Sequence, residues 1–283
     1  MKIDTLAILG IGFLGGSLAR AVRQRAIAPR IIGVEPDEVS AQQSLSTGLI
    51  DELAPGPSAN SITSADLVVC CAPVDHITEL LLVTAQHARP GQLLTDVGST
   101  KSAIVSQLEA KLPPHVLFVG SHPLAGSEKQ GPEHADANLF EGRLVVVTPT
   151  ERTPPAALEL ISAFWQAVGA RVRQMKPTEH DRAVALTSHL PHLIASALAG
   201  ILPPALTDLT ASGFRDTTRL AASDPELWTA IALQNREFLL EALTAFDARV
   251  SDFRHTLDQK DTAQLLELFQ RGKSVRDQLR GGN

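Results

Sequence analysis

Up to Met175 the chain alternates short apolar runs with stretches whose apolar residues recur every three or four positions. The runs at 5–9, 30–34, 67–72, 93–96, 117–121, 144–148 and 171–175 read as strands. The stretches at 17–25, 38–47, 76–87, 101–111 and 154–168 read as helices. Strand–helix alternation of this kind implies an α/β fold with a mostly parallel sheet covered on both faces. After Pro177 the strand-like runs stop, and helical patterns follow at 179–201, 204–219, 225–257 and 260–279. The chain is therefore expected to divide into a sheet domain, 1–176, and an all-α domain, 177–283.

Ser223-Asp224-Pro225-Glu226 marks a helix start: serine caps, proline occupies the first turn, and glutamate stands three residues after the cap. The helix it opens carries Leu227, Ile231, Phe238, Leu243, Phe246, Val250, Phe253 and Leu257 at mostly helical spacing. A helix of that length needs a surface to cover it, in its own domain or across a dimer interface.

Composition narrows the class. The 283 residues are 44% hydrophobic and 20% charged, as in a folded globular protein. The net charge of −6, without a basic run, argues against a nucleic-acid or anionic-membrane partner. No unbroken apolar stretch approaches the roughly 18–20 residues of a membrane span. Asp4 and the early glycines interrupt what would otherwise resemble a signal peptide. Cys70 and Cys71 are adjacent within an apolar run, so they point to opposite faces of a strand. That suits buried thiols better than a disulfide or a metal site, and the expected compartment is the reducing cytoplasm.

Gly10-Ile11-Gly12-Phe13-Leu14-Gly15 follows the first strand and opens the first helix. Its first glycine makes a tight turn, its second lets backbone approach a pyrophosphate, and its third lets helix and strand pack closely. The helix N-terminus offers N–H groups and partial positive charge to the phosphates. Glu35 ends the second strand, where a carboxylate can accept hydrogen bonds from ribose hydroxyls and repel a 2′-phosphate. The expectation is a Rossmann-type domain binding NAD rather than NADP, with Asp37 as an alternative acid. Ala72-Pro73-Val74 leaves the next strand and should border the cofactor, because ligands sit at the carboxyl ends of parallel strands.

Asp96-Val97-Gly98-Ser99-Thr100-Lys101 and Ser121-His122-Pro123-Leu124-Ala125-Gly126-Ser127-Glu128 follow two further strands and should reach the same sheet edge, near the nicotinamide. Histidine suits removal of an alcohol proton, since its pKa lies near neutrality. Taken singly, Ser99 reads as a helix cap and His122 as a loop histidine; together they make a hydroxyl-binding pair. In the helical half, Pro191 should kink its helix, and His189 and His192 share a face. No third ligand has fitting spacing, so no metal is expected. His192 faces substrate or fills the core. Arg219, followed by Leu220-Ala221-Ala222, is expected to be half-buried, paired with Asp216 or with a substrate acid. Trp228 is core or pocket wall.

With these segments in this order, the chain resembles the prephenate dehydrogenase family: Gly10-Ile-Gly-Phe-Leu-Gly-Gly-Ser-Leu-Ala, Asp96-Val-Gly-Ser-Thr-Lys, Ser121-His-Pro-Leu-Ala-Gly-Ser-Glu, Ser188-His-Leu-Pro-His and Gly213-Phe-Arg-Asp-Thr-Thr-Arg-Leu-Ala-Ala-Ser-Asp-Pro-Glu-Leu-Trp. The resemblance implies oxidative decarboxylation of prephenate to 4-hydroxyphenylpyruvate with NAD, in tyrosine biosynthesis. It implies that His122 and Ser99 hold the ring hydroxyl, that Glu128 gates or orders the pocket, and that His192 and Arg219 bind substrate beside Trp228. It also implies a homodimer through the helical domain, with Gly213 or Arg215 reaching the partner's site. No ACT domain or fused chorismate mutase is expected. An arogenate or dual cyclohexadienyl dehydrogenase is the alternative within the fold, and a non-catalytic NAD sensor the alternative outside the enzyme class.

Overall fold

Each buried strand of the N-terminal half sends successive side chains to opposite faces, and this alternation builds two cores rather than one. In the computed structural model, residues 3–126 and 131–280 are described. Strands β1 (Thr5–Leu9), β2 (Arg30–Val34), β3 (Glu52–Leu53), β4 (Leu67–Cys70), β5 (Leu93–Asp96) and β6 (Leu117–Phe118) form a parallel sheet in the order β3-β2-β1-β4-β5-β6. Leu6, Ile8, Leu67 and Val69 enter one core, and Ala7, Leu9, Val68 and Cys70 the other. Helices α1 (Phe13–Gln24), α2 (Glu38–Ser46), α3 (Asn60–Thr63), α4 (Ile77–Gln86) and α5 (Ser102–Lys111) make the connections. The strand order reverses between β1 and β4, which opens a crevice at their carboxyl ends.

The strand expected over 117–121 is two strands. The chain leaves the first sheet after β6 and enters a second as β7 (Gly120–Pro123), antiparallel to β8 (Leu144–Thr148). Helix α6 (Pro155–Ala167) then leads to β9 (Arg171–Gln174), parallel to β8. Side chains hold the two sheets together where the backbone ladder stops. Thr95 Oγ1 lies 2.6 Å from the Val119 carbonyl and 2.9 Å from Ser121 Oγ. Asp96 accepts from Ser121 N–H at 3.2 Å. The fully buried Lys101 ammonium pairs with Asp96 and donates to the Ser121 carbonyl at 3.0 Å.

Beyond β9 the described structure is helical: α7 (Pro177–Val184), a π turn (Ala185–His189), α8 (Leu190–Gly200), α9 (Ser212–Thr218), α10 (Pro225–Gln234), α11 (Arg236–Gln259) and α12 (Thr262–Arg280). Pro191 lies in the first turn of α8 and has no N–H to give, and the wider π turn immediately precedes it. The run Pro177–Gly200 is long and apolar enough to cross a membrane by composition alone. Its His180, Asp181 and His189 are buried in hydrogen bonds to side chains and backbone of the same unit.

The helix expected over 225–257 breaks at Asn235, whose side chain donates to the Asp181 carbonyl and lies against His189. The chain forms two compact units, Met1–Asn235 and Arg236–Asn283. In the second, Phe253 meets Phe269 edge-on at 5.4 Å, and Leu240, Val250, Leu257, Leu266, Val275 and Leu279 are exposed.

Burial draws the Lys101 pKa down, and the neighbouring Asp96 carboxylate holds it up. Lys101→Met strips that carboxylate of its counter-ion inside the protein, a change that costs about 3–5 kcal/mol for a buried pair. Urea denaturation should show the loss as a lower midpoint; a cost below about 1 kcal/mol would mean the pair adds nothing to neutral packing.

Candidate active site

The glycine turn is built as its spacing requires. Gly10 has φ +90 and donates to the Val34 carbonyl at 2.8 Å. A Cβ there would stand 3.1 Å from the Cys71 carbonyl carbon, so the turn lies against the exit of β4. At Gly15 a Cβ would lie 1.9 Å from the Gly10 oxygen, which only glycine avoids. Gly12 has nothing within 4 Å of where a Cβ would be, and it starts α1 without a side-chain cap or an acid in the first turn. An uncapped helix N-terminus opening on free space fits a diphosphate. Phe13 and Leu14 are half-buried in that first turn.

Glu35 lies beside this turn, accepting from Ile11 N–H at 2.8 Å and from Asp37 N–H at 3.1 Å. Asp37 is engaged as the cap of α2, accepting from Ser40 N–H at 2.8 Å, and that bond holds its carboxyl below the usual range. Of the two acids, Glu35 is the one bonded to the glycine turn. Ala72 is half-buried, Pro73 exposed and Val74 buried. The Val74 carbonyl accepts from Gln234 Nε2 at 3.0 Å, and Gln234 Oε1 accepts from Thr100 Oγ1 at 2.7 Å. One α10 side chain thus joins the loops after β4 and β5. Gly98 N–H donates to Asp96 Oδ2 at 2.9 Å, which folds that second loop back and leaves Ser99 half-buried.

Ser99 is not a cap. The N-cap of α5 is Lys101, and the capping group comes from another element. Asp181, on α7, accepts Lys101 N–H at 2.7 Å and Ser102 N–H at 2.8 Å, one on each carboxylate oxygen. It also meets His180 Nδ1 at 2.8 Å. His180 Nε2 in turn lies 2.8 Å from Nδ1 of the buried His122, with the rings edge-on at 78°. Burial first, then the charges of His180, Lys101 and His189, keep His122 well below its ordinary pKa. It is a neutral imidazole at pH 7, able to accept a proton.

His180 and Asp181 escaped the reading of the sequence. Their signal was present: they lie on the helical face that carries buried Val184, and a polar pair on an apolar face is unusual unless it is bonded.

Trp228 packs against both histidines of the Pro191 segment. His192 stacks on it, with centroids 3.4 Å apart and planes at 18°, and His189 meets it edge-on at 5.9 Å. His189 is the satisfied core histidine, with Nδ1 2.9 Å from Asn235 Nδ2. Burial lowers both rings to about 4, with the Arg219 guanidinium adding to the effect on His192. Arg219 itself is exposed in the turn after α9, not half-buried, because that turn lies at the surface. Among the described residues no ion pair joins it to Asp216. Gly213 and Arg215 are exposed on α9. Glu128 lies outside the described residues. Among those described, no three His, Cys, Asp or Glu side chains are grouped to hold a metal ion.

Known proteins resemble this chain along most of its length. Residues 18–174 match the family model of the prephenate dehydrogenase nucleotide-binding domain, and 176–271 that of the prephenate dehydrogenase dimerization domain. The first match begins after the glycine turn, whose assignment rests on its own geometry. The chain is 33% identical to prephenate dehydrogenase of Bacillus subtilis over 98% of its length and 76% of the relative's. It is 34% identical to cyclohexadienyl dehydrogenase of Zymomonas mobilis, over 96% and 94%. The crystal structure of prephenate dehydrogenase from Aquifex aeolicus, in complex with hydroxyphenyl propionate and NAD+, superposes with a TM-score of 0.92 at 32% identity, covering 99% of each chain.

The depressed histidines set a pH dependence. A ring with a folded pKa near 4 and an ordinary value of 6.5 binds fewer protons folded than unfolded between those limits. Stability should be full above pH 6.5 and fall as the pH drops toward 4, with His189 alone contributing on the order of 2 kcal/mol. Denaturation midpoints at pH 7.5, 6, 5 and 4 test this; a flat profile would mean the histidines protonate freely in the folded protein.

Proposed function

The chain belongs to the prephenate dehydrogenase family, and from that premise we propose that it oxidatively decarboxylates prephenate to 4-hydroxyphenylpyruvate with NAD, in tyrosine biosynthesis. The observation that carries the reading is His122. Its buried, neutral ring engages His180 through Nδ1 and keeps Nε2 for a substrate hydroxyl.

When bound, the NAD nicotinamide would supply the acceptor for the carbinol hydride. Gly10, Gly12, Phe13, Leu14 and Gly15 would hold the NAD diphosphate and Glu35 its ribose; Ala72, Pro73 and Val74 would border the cofactor, with Gly98 and Ser99 toward its nicotinamide. Glu35 next to the turn favours an unphosphorylated ribose, since a 2′-phosphate would meet a carboxylate. On the substrate side, Ser99 and His122 hold the ring hydroxyl and His122 accepts its proton. Loss of carbon dioxide leaves an aromatic product whose phenol oxygen takes that proton back, so no net base is consumed. Aromatisation supplies the driving force, and the protein's task is alignment. Trp228 and His192 wall the ring, and Arg219 binds the side-chain carboxylate. Glu128 would gate or order the pocket, as the family resemblance implies. In a homodimer through the helical domain, Gly213 or Arg215 reaches the partner's site. The free thiols of buried Cys70 and half-buried Cys71 suit the reducing cytoplasm; burial pushes the Cys70 thiol up to about 12.

Arogenate carries an ammonium where prephenate has a ketone, and a cyclohexadienyl dehydrogenase is among the relatives. Steady-state NADH production with prephenate and with arogenate should show turnover with prephenate at least. His122→Asn should retain NADH affinity while kcat falls about 100-fold or more. Turnover of neither substrate by the native protein would overturn the assignment, and an unchanged kcat in the variant would remove His122 from the chemistry. Separately, Glu35→Ser should raise kcat/KM with NADP relative to NAD; a constant ratio would mean another group selects the cofactor.

A further inference from the structure

We propose that His180 and Asp181 are positioning residues for His122: they fix its tautomer, and they take up the charge it gains when it accepts the substrate proton. The inference rests on the reading of His122 as the proton acceptor.

The argument starts at the carboxylate. Burial alone would raise the Asp181 pKa, but the bonds from His180 and from the Ser102 and Lys101 amides hold it below the usual range. It is therefore ionised and can only accept hydrogen bonds. The His180 nitrogen facing it, Nδ1, must carry the hydrogen. In a neutral ring the other nitrogen then has only a lone pair, so His180 Nε2 must accept. What it accepts is the hydrogen on His122 Nδ1, 2.8 Å away. His122 is thereby left with its lone pair on Nε2, the form a base needs. Each step follows from the one before, and the chain of bonds ends on two backbone amides at the start of a helix.

A cap for α5 needs only the two amide bonds, and His180 adds nothing to them. Its ring is fully buried with both nitrogens engaged. The groups around His122 explain what such a ring is for. Lys101, His189 and His180 all disfavour a positive charge on it, and Lys101 is matched by Asp96. Among the described residues, the carboxylate that the chain of rings reaches is Asp181. When Nε2 of His122 gains the hydroxyl proton, the hydrogen on its Nδ1 can pass to His180 Nε2. The His122 Nε2–H bond forms, its Nδ1–H bond breaks, and the positive charge then lies on His180 against Asp181. The reverse shift returns the proton to the phenol oxygen. No proton is gained or lost overall.

Two measurements test this. In the native protein, 15N NMR of the histidine rings at pH 7.5 should find both His122 and His180 protonated at Nδ1, assigned by loss of each signal in His122→Asn and His180→Phe. His122 protonated at Nε2 would overturn the proposal, whatever the substrate is. In kinetics with prephenate and NAD, Asp181→Asn and His180→Phe should keep NADH affinity and leave KM within about threefold, while kcat falls about 100-fold or more; the equivalent carboxylate-to-amide change in serine proteases costs about 10⁴. Loss of the Asp181 charge makes His122 harder to protonate, so the acid limb of kcat/KM in Asp181→Asn should move to lower pH. A merely structural role would lower the rate and leave that limb in place, and such a result would overturn the proposal. Should the native protein turn over neither prephenate nor arogenate, the functional reading fails and the NMR result alone decides the tautomer arrangement.

Discussion

The Asp181 carboxylate is the contact on which the geometry of the candidate site depends. With one oxygen on the Lys101 amide that precedes α5 and the other on the Ser102 amide that opens it, it fastens the helical segment after β9 to the sheet domain. Its main-chain oxygen takes Asn235, and Asn235 reaches His189. Its side chain takes His180, and His180 reaches His122. A single residue thus sets the positions of α5, α10 and three histidines. Buried polar groups are costly when unpaired, so the arrangement is all-or-none: each member is tolerated inside only because the others are present.

The glycine turn works by the opposite means. Nothing there is held by a charged contact except Glu35; the shape comes from side chains that are missing. Gly10 lets backbone touch the exit of β4, Gly15 lets α1 start close to the turn, and Gly12 leaves space. The cofactor side is defined by removal of bulk and the substrate side by a dense polar network. The two meet where the loops after β4 and β5 are bridged by Gln234.

Much of this was legible in the sequence, for identifiable reasons. β1, β2, β5 and β8 were read to the residue, because buried strands appear as apolar runs with sharp ends. The glycine turn and the acid at the end of β2 carry their geometry in their spacing. What escaped depends on pairing across distance. The change of sheet at Val119 was missed because its cause is β8, over twenty residues later. Asn235 breaks a helix that periodicity would continue, because its amide is engaged 46 residues back. His180 and Asp181 share a helical face with Val184, but what they bond to shows only once α5 and β7 are set against them. Arg219 looked half-buried because apolar residues follow it, yet in a surface turn neighbours in sequence do not provide cover.

The passage from β6 to β7 takes one residue, Val119, and this brevity has a consequence for how the chain can vary. Along β7, Ser121 faces Thr95 while His122 faces His180, as alternation in a strand demands. Inserting or deleting one residue between Phe118 and Gly120 would exchange those directions and turn the imidazole toward the first sheet, with every side chain of the site chemically intact. This junction works as a counting device: its length in residues, more than its composition, decides which way the histidine points.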